Sequence, residues 1–292
     1  MNFKRLETFL WVATLGSFHK AAKRLHTTQP AISTRIAALE EELNVKLFDR
    51  DRGGIVLTTK GQELLPYAEK IVFLSGQLRK KADESVSLSG LLRLGVSETI
   101  VHTWLPQFLR RLYEQLPNLD VELTVDVTAN LRKELLDRSI DLAFLMGPVS
   151  EYSIVNHDLC VFPLVWAASP KLSVPCRRVA LEELIKWPVL TYARNTKPYS
   201  EISMKLRELE TPPARIFSSS SLAASIRMTL DGYGLGTLPR DVIKKELKEQ
   251  KLIELDASWV PSDLRFTASH PSVPHNPIVE RATEIAIEAA EV

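Results

Sequence analysis

The 292-residue sequence has only two cysteines, Cys160 and Cys176. Two thiols cannot staple a chain of this length, so a disulfide scaffold is excluded and a reduced, cytoplasmic protein is expected. They fall in separate segments without an electropositive setting, which argues against a redox pair. Long apolar runs are also absent. The longest uncharged one, residues 159–170, is strand-like in length and falls short of the ~18 residues of a membrane helix, so no membrane is expected as a partner. Glu7 interrupts the opening segment, and no secretory leader is expected. Net charge is nearly missing too: 37 Lys+Arg against 36 Asp+Glu leave +1. The distribution is less even. Residues 1–60 carry 10 basic and 6 acidic side chains, and the remainder is mildly acidic. A small basic head permits contact with a polyanion at one end of the chain. Catalytic signatures are lacking as well. His157, His270 and His275 have no metal-ligand spacing. Gly232, Gly234 and Gly236 precede a strand pattern, unlike a dinucleotide fingerprint. No Ser/His/Asp or carboxylate pair is spaced for catalysis, so no enzyme, metal or cofactor is expected. What is present is 45% hydrophobic and 25% charged, ordinary for a globular chain.

The head reads as three short helices. Leu6, Phe9, Leu10 and Ala13 lie on one helical face, and Gly16 stops that helix in the left-handed region. Ser17 caps a second helix with Phe18, Ala21, Ala22 and Leu25 on its apolar face. Thr28 caps a third, with Pro30 in the first turn and Ile32, Ile36, Leu39 and Leu43 facing inward; Asn44 takes the left-handed end. Short apolar stretches at 45–47 and 55–57 flank the turn Asp51-Arg52-Gly53-Gly54 and read as a two-stranded wing. Two short helices across a tight turn make a helix-turn-helix, whose second helix enters the major groove by its N-terminal end. Gln29, Pro30, Ser33 and Thr34 then face outward, with Arg35 at the margin. Gln29 can bond a base edge twice, and Arg35 can reach guanine or phosphate. Ser17, Thr27 and Thr28 offer hydroxyls at helix starts, suited to phosphate; Arg50 and Arg52 sit at the wing. The same pattern also fits a three-helix subdomain with a solvated polar face.

Residues 59–88 read as a linker helix running into a serine-rich stretch. Leu64, Ile71 and Leu78 recur every seven residues, with Ala68, Ser75 and Ala82 between them. A heptad seam with one row of small residues suits a partner helix, so these six residues are expected at a dimer interface, although the seam could pack on its own body. Beyond residue 90, strands alternate with helices: strands at 91–96, 119–125, 140–145, 188–192, 215–218 and 235–238; helices at 99–116, 129–137, 181–186, 199–209, 221–231 and 240–248. That order implies parallel α/β units. Two crossing strands, near 161–165 and 264–269, give two lobes. The expected fold is thus α/β with an all-α winged-helix N-terminal domain (1–58), a linker helix (59–88) and a two-lobed α/β domain (91–292). Its lobe I is about 91–162 and 267–292, and its lobe II about 163–266.

The residues Phe9-Leu10, Gly16-Ser17-Phe18, Ala21-Ala22-Lys23-Arg24-Leu25-His26, Gln29-Pro30-Ala31-Ile32-Ser33, Ile36, Leu39 to Leu43, Leu47-Phe48-Asp49-Arg50, Leu57-Thr58 and Gly61 stand in fixed spacing. This stretch resembles LysR-type transcriptional regulators. Residues 232–239, Gly-Tyr-Gly-Leu-Gly-Thr-Leu-Pro, also look like the family. Asn44 replaces the usual glycine, and Gly53 stands where many members have a wing arginine. The resemblance implies a periplasmic-binding-protein-like effector domain and a bacterial homotetramer, or dimer, on double-stranded promoter DNA with an inverted repeat. It also implies a small-molecule effector that alters DNA bending, and RNA polymerase is a candidate partner.

In a two-lobed α/β domain a ligand lies beyond the C-terminal ends of the strands. Those ends nominate Ser97, Glu98, Thr99, Thr128, Ala129, Met146 and Gly147 on one lobe, and Tyr199, Ser200, Ser219 and Ser220 on the other. Hydroxyls and free amides at helix starts favour an anion, although ordinary N-capping explains each serine or threonine equally well. Glu98 fits poorly with pure anion binding and points toward an amine or amino acid. The expected effector is therefore anionic or amino-acid-like. The alternative is a cytosolic solute-binding or enzymatic α/β protein with an incidental N-terminal helical domain.

Overall fold

The computed structural model describes residues 2–51, 54–82, 89–175, 178–209 and 215–290. They form two compact units, Met1–Leu88 with Pro271–Glu280, and Ser89–His270 with Arg281–Val292. Arg52, Gly53 and Cys176 lie outside the described residues.

The first unit contains helices α1 (Phe3–Leu15), α2 (Phe18–Arg24) and α3 (Gln29–Leu43). A hairpin, β1 (Phe48–Asp51) and β2 (Gly54–Leu57), follows, and then α4 (Thr59–Ala82). Local chemistry sets the boundaries. Gly16 (φ 58°) and Asn44 (φ 53°) close α1 and α3 in the left-handed region. Ser17 accepts from the Lys20 amide, and Thr28 from the Ala31 amide. The apolar faces meet in one core of Leu6, Phe9, Leu10, Ala21, Ile32, Ile36, Leu39, Leu47 and Phe48. The Phe48 ring packs edge-on against Phe9 and Phe18. Gly61, in the first turn of α4, has no room for a side chain: a Cβ there would lie 2.2 Å from the Leu47 carbonyl oxygen.

The second unit has two five-stranded sheets. One has the order β4-β3-β5-β12-β6, from β3 (Gly90–Val96), β4 (Leu119–Val125), β5 (Leu142–Met146), β6 (Ile154–Phe162) and β12 (Leu264–Pro271). The other has the order β11-β7-β10-β8-β9, from β7 (Leu164–Ala168), β8 (Val189–Tyr192), β9 (Ile216–Ser219), β10 (Leu235–Pro239) and β11 (Ile253–Leu255). The β4-β3-β5 and β9-β8-β10 groups are parallel, while β12 and β7 join antiparallel as returning strands. Helices α5 (Glu98–Val101), α6 (Leu105–Gln115), α7 (Thr128–Leu136) and α12 (Pro277–Ala290) go with the first sheet's sequence; α8 (Leu181–Leu184), α9 (Lys197–Arg207), α10 (Leu222–Asp231) and α11 (Lys244–Lys248) go with the second's. Trp104, Phe108 and Phe144 form an aromatic cluster in the first lobe. Trp166 is fully buried in the second, and its indole donates to the Trp259 carbonyl at 2.9 Å.

Several boundaries differ from the sequence reading. The single helix expected over 99–116 is two, α5 and α6. Pro106 has no N–H for the His102 carbonyl, so the helix breaks between them. Helix α9 starts at Lys197 rather than 199, with Pro198 in its first turn. Strand β11 was not anticipated. The last strand begins at Leu264, and Phe266 pairs with Met146, so residues 264–266 belong to the first sheet rather than to the second lobe.

Candidate functional site

The head presents the start of α3 on its surface. Gln29, Pro30 and Thr34 are exposed, and Ser33 and Arg35 are half-buried at the edge of the face. This follows from the buried row Ile32, Ile36 and Leu39 at 0–3% exposure, which fixes the helix about its axis. Thr34 Oγ1 donates to the Pro30 carbonyl at 3.0 Å. Thr28 is exposed, and Ser17 and Thr27 are half-buried. The capping hydroxyls of Ser17 and Thr28 accept from backbone amides and keep their own O–H for a further acceptor. Arg50 lies in β1.

One residue that sequence reasoning passed over positions this face. Glu40, buried on α3, accepts from the Leu47 amide at 2.8 Å and the Phe48 amide at 3.3 Å, and from Lys46 Nζ at 2.9 Å. Burial opposes its charge, but Lys46 and the two amides outweigh that and hold the carboxyl below its ordinary value. Glu40 thereby ties the recognition helix to the root of the wing.

The expected dimer row on α4 is largely occupied by the head itself. Ala68 is 4% exposed within the head core, and Leu64 and Ile71 pack against the same core. Ala68 is thus buried in this unit, and Leu64 and Ile71 are half-buried against it, because this stretch of α4 packs over α1 and its neighbours. Ser75 is half-buried; Leu78 and Ala82 lie further along α4. The outward apolar side chains are Tyr67 and Leu74, 67% and 55% exposed and seven residues apart.

Between the lobes of the second unit lies a cleft of about 970 Å³, open mouth included. It sits beyond the C-terminal ends of β3, β4, β5, β8 and β9, where this topology places ligands. Of the nominated residues, Ser97, Glu98, Thr99, Thr128, Met146, Ser219 and Ser220 line it. Ala129, Gly147, Tyr199 and Ser200 are not among its lining. The last two were misplaced because Pro198 starts α9 earlier than expected, leaving Ser200 in the second turn, bonded to the Thr196 carbonyl at 3.1 Å. Thr196 lines the cleft instead, with Thr191, Tyr192, Ser221, Ser225, Thr237, Asp126 and the apolar Leu264 and Phe266.

Most cleft hydroxyls are already engaged. Thr128 Oγ1 accepts from the Met146 amide, Ser219 Oγ from the Ser221 amide, and Thr237 bonds Thr191 at 2.8 Å. Ser97 Oγ and Tyr192 Oη are buried without a hydrogen bond of standard geometry; Thr99 stands near the Tyr192 hydroxyl. Burial pushes the Tyr192 phenol well up, so it stays a neutral donor. Glu98 extends from α5 across the cleft to α10. Its Oε1 accepts from Ser221 Oγ at 3.4 Å and from the Ala223 amide at 3.1 Å, and its Oε2 accepts from the Leu222 amide.

The chain matches known proteins along its length. Residues 3–62 match the family model for bacterial regulatory helix-turn-helix proteins of the lysR family, and residues 85–291 match the LysR substrate binding domain. The chain belongs to the LysR family of transcriptional regulators. It is 30% identical over 252 residues to the HTH-type transcriptional regulator CzcR of Bacillus thuringiensis, covering 86% of this chain and 85% of that protein. The regulator GltR of Bacillus subtilis is also 30% identical, over 86% of this chain and 84% of its own. Among solved structures it resembles full-length LysG of Corynebacterium glutamicum with bound effector Arg (TM-score 0.64, 20% identity, 100% and 98% covered). ArgP of Mycobacterium tuberculosis is similar in the same way (TM-score 0.65, 19% identity, 98% and 96% covered). LysR regulators bind DNA and small-molecule effectors and form oligomers. Among the described residues of this LysR-type regulator, no helix is long and apolar enough to cross a membrane, and no cluster of side chains is suited to a metal ion.

Proposed function

We propose that this regulator binds promoter DNA at an inverted repeat, with the start of α3 in the major groove, and that a small-molecule effector in the interlobe cleft alters promoter binding and DNA bending. The exposed N-terminal end of α3 on a closed three-helix core carries the DNA reading. In it Gln29 reads a base edge and Arg35 reaches guanine or phosphate. Ser17, Thr27 and Thr28 hold phosphate, and the wing arginines Arg50 and Arg52 steady the flank. The effector reading rests on the cleft at the strand ends, with the buried, unbonded Ser97 hydroxyl and the buried Tyr192 hydroxyl turned into it. The working form is an oligomer in the cytoplasm, with α4 as the dimer helix. Nuclease footprinting on the DNA beside its own gene tests the DNA half; no protection at low salt overturns it, because phosphate contacts strengthen as salt falls. Arg35→Ala is expected to weaken operator binding about tenfold or more with an unchanged melting curve. Normal binding, or a collapsed fold, counts against the role of Arg35.

A further inference from the structure

An external anion entering this cleft would be drawn to the start of α10, where unpaired amides and the helix dipole would greet it. None of the first three amides is free. The Leu222 amide is taken by Glu98 Oε2, the Ala223 amide by Glu98 Oε1, and the Ala224 amide by Ser221 Oγ. The carboxylate that fills the place belongs to the opposite lobe, from which α5 projects it. Helix α7 also opens on the cleft, and Asp126 stands just before it: Asp126 Oδ1 accepts from the amide of Val127, the residue preceding the helix, at 2.7 Å and from Asn130 Nδ2 at 3.0 Å. At the start of α9, Pro198 removes a donor. Among the described residues no lysine, arginine or histidine lines the cleft, whose charged lining groups are Glu98 and Asp126; behind Glu98, His102 Nε2 stands 3.6 Å from its Oε1. Yet Ser97, only 8% exposed, holds a hydroxyl against the cleft with nothing bonded to it, and the buried Tyr192 hydroxyl has only Thr99 near it, without a hydrogen bond of standard geometry. Buried polar atoms of this kind are rarely left unmatched.

We propose that Glu98 is the specificity-determining residue of the cleft: an internal carboxylate that fills the anion site of α10, bars anionic ligands, and leaves the cavity to an uncharged or cationic ligand held by Ser97 and Tyr192. This rests on the cleft being the effector site, and it removes the anionic alternative from the sequence reading. The two lobes are joined by the same contact, since Glu98 and α10 stand on opposite sides.

The test is chemical rescue in the full-length protein. Glu98→Ala removes a CH2–COO⁻ group, which is the skeleton of acetate. The variant is expected to melt about 3 °C lower and to be re-stabilised saturably by sodium acetate beyond matched sodium chloride. The wild type is expected to show no acetate effect over chloride, because a ligand raises the melting temperature only where it has a site to fill. Saturable stabilisation of the wild type by acetate or succinate overturns the proposal, and so does a folded Glu98→Ala protein that ignores acetate. If Glu98→Ala does not fold, the wild-type arm decides alone. Failure of the effector reading has a different mark: operator binding then responds to no cleft occupant, while acetate rescue, read by melting, still occurs.

Discussion

Replacing Glu40 by glutamine tests whether the recognition helix and the wing are locked together by one buried charge. The carboxylate takes three donors: the amides of Leu47 and Phe48 and the ammonium of Lys46. Both amides bond the same oxygen, Oε1, so a glutamine carbonyl oxygen in its place keeps both bonds. The oxygen that accepts from Lys46 becomes an NH2 group, and the charge is lost. A hydrogen bond to a charged group contributes about 1.5–3 kcal/mol and one to a neutral group about 0.5–1.5 kcal/mol, so each amide bond weakens by about 1 kcal/mol. The Lys46 ammonium is largely exposed and re-solvates, so its share is small. The expected loss at neutral pH is about 2 kcal/mol, roughly a thirtyfold shift in the unfolding equilibrium of the head. The effect has a pH signature. The folded carboxyl lies below its ordinary value, so its contribution is complete above the unfolded pKa near ~4.3 and is lost as pH falls through the folded one. Denaturant unfolding at pH 7 and at about pH 3, with amide exchange at Leu47 and Phe48, reads both effects. A variant as stable as the wild type at pH 7 refutes the reasoning, as does a difference that persists undiminished in acid.

Ala68→Leu is expected to overpack the head core and cost about 2 kcal/mol, measured by thermal unfolding; light scattering showing a monomer with normal melting would instead return Ala68 to a subunit interface. Cys160 is half-buried with its sulfur accepting from the Trp104 indole at 3.4 Å, and burial pushes its thiol up to about 11. It is expected to resist iodoacetamide at pH 7.5 in the native state, and rapid labelling of Cys160 by mass spectrometry would contradict this, since the thiolate is the reactive form.

The head was legible because its signals are local. Gly16, Ser17, Thr28 and Asn44 act on backbone groups within four residues, and the apolar spacing of Ile32, Ile36 and Leu39 states which face turns inward. The strand–helix alternation of the second unit was legible for the same reason. Glu40 was not, because its partners lie seven and eight residues away across a turn. Glu98 was nominated for the cleft, but its bonds to residues more than 120 positions away carry no mark in the sequence. The heptad of α4 shows how a periodicity names a face without naming what covers it: Leu64, Ala68 and Ile71 meet the head. Two misses had a signal in plain view. Pro106 breaks the helix expected over 99–116, and Pro198 opens α9 two residues early.

A single residue, Pro163, lies between β6 and β7, whereas the return between β11 and β12 runs through 256–263. All of β7 is buried, with Trp166 and Ala168 in one core and Val165 and Ala167 in the other, so one residue added or removed at Pro163 would exchange the two faces and put Trp166 in the layer built for Val165 and Ala167. A chimera that grafts the second lobe onto another regulator must therefore keep that junction at its native length, and can absorb mismatched spacing only in the longer return.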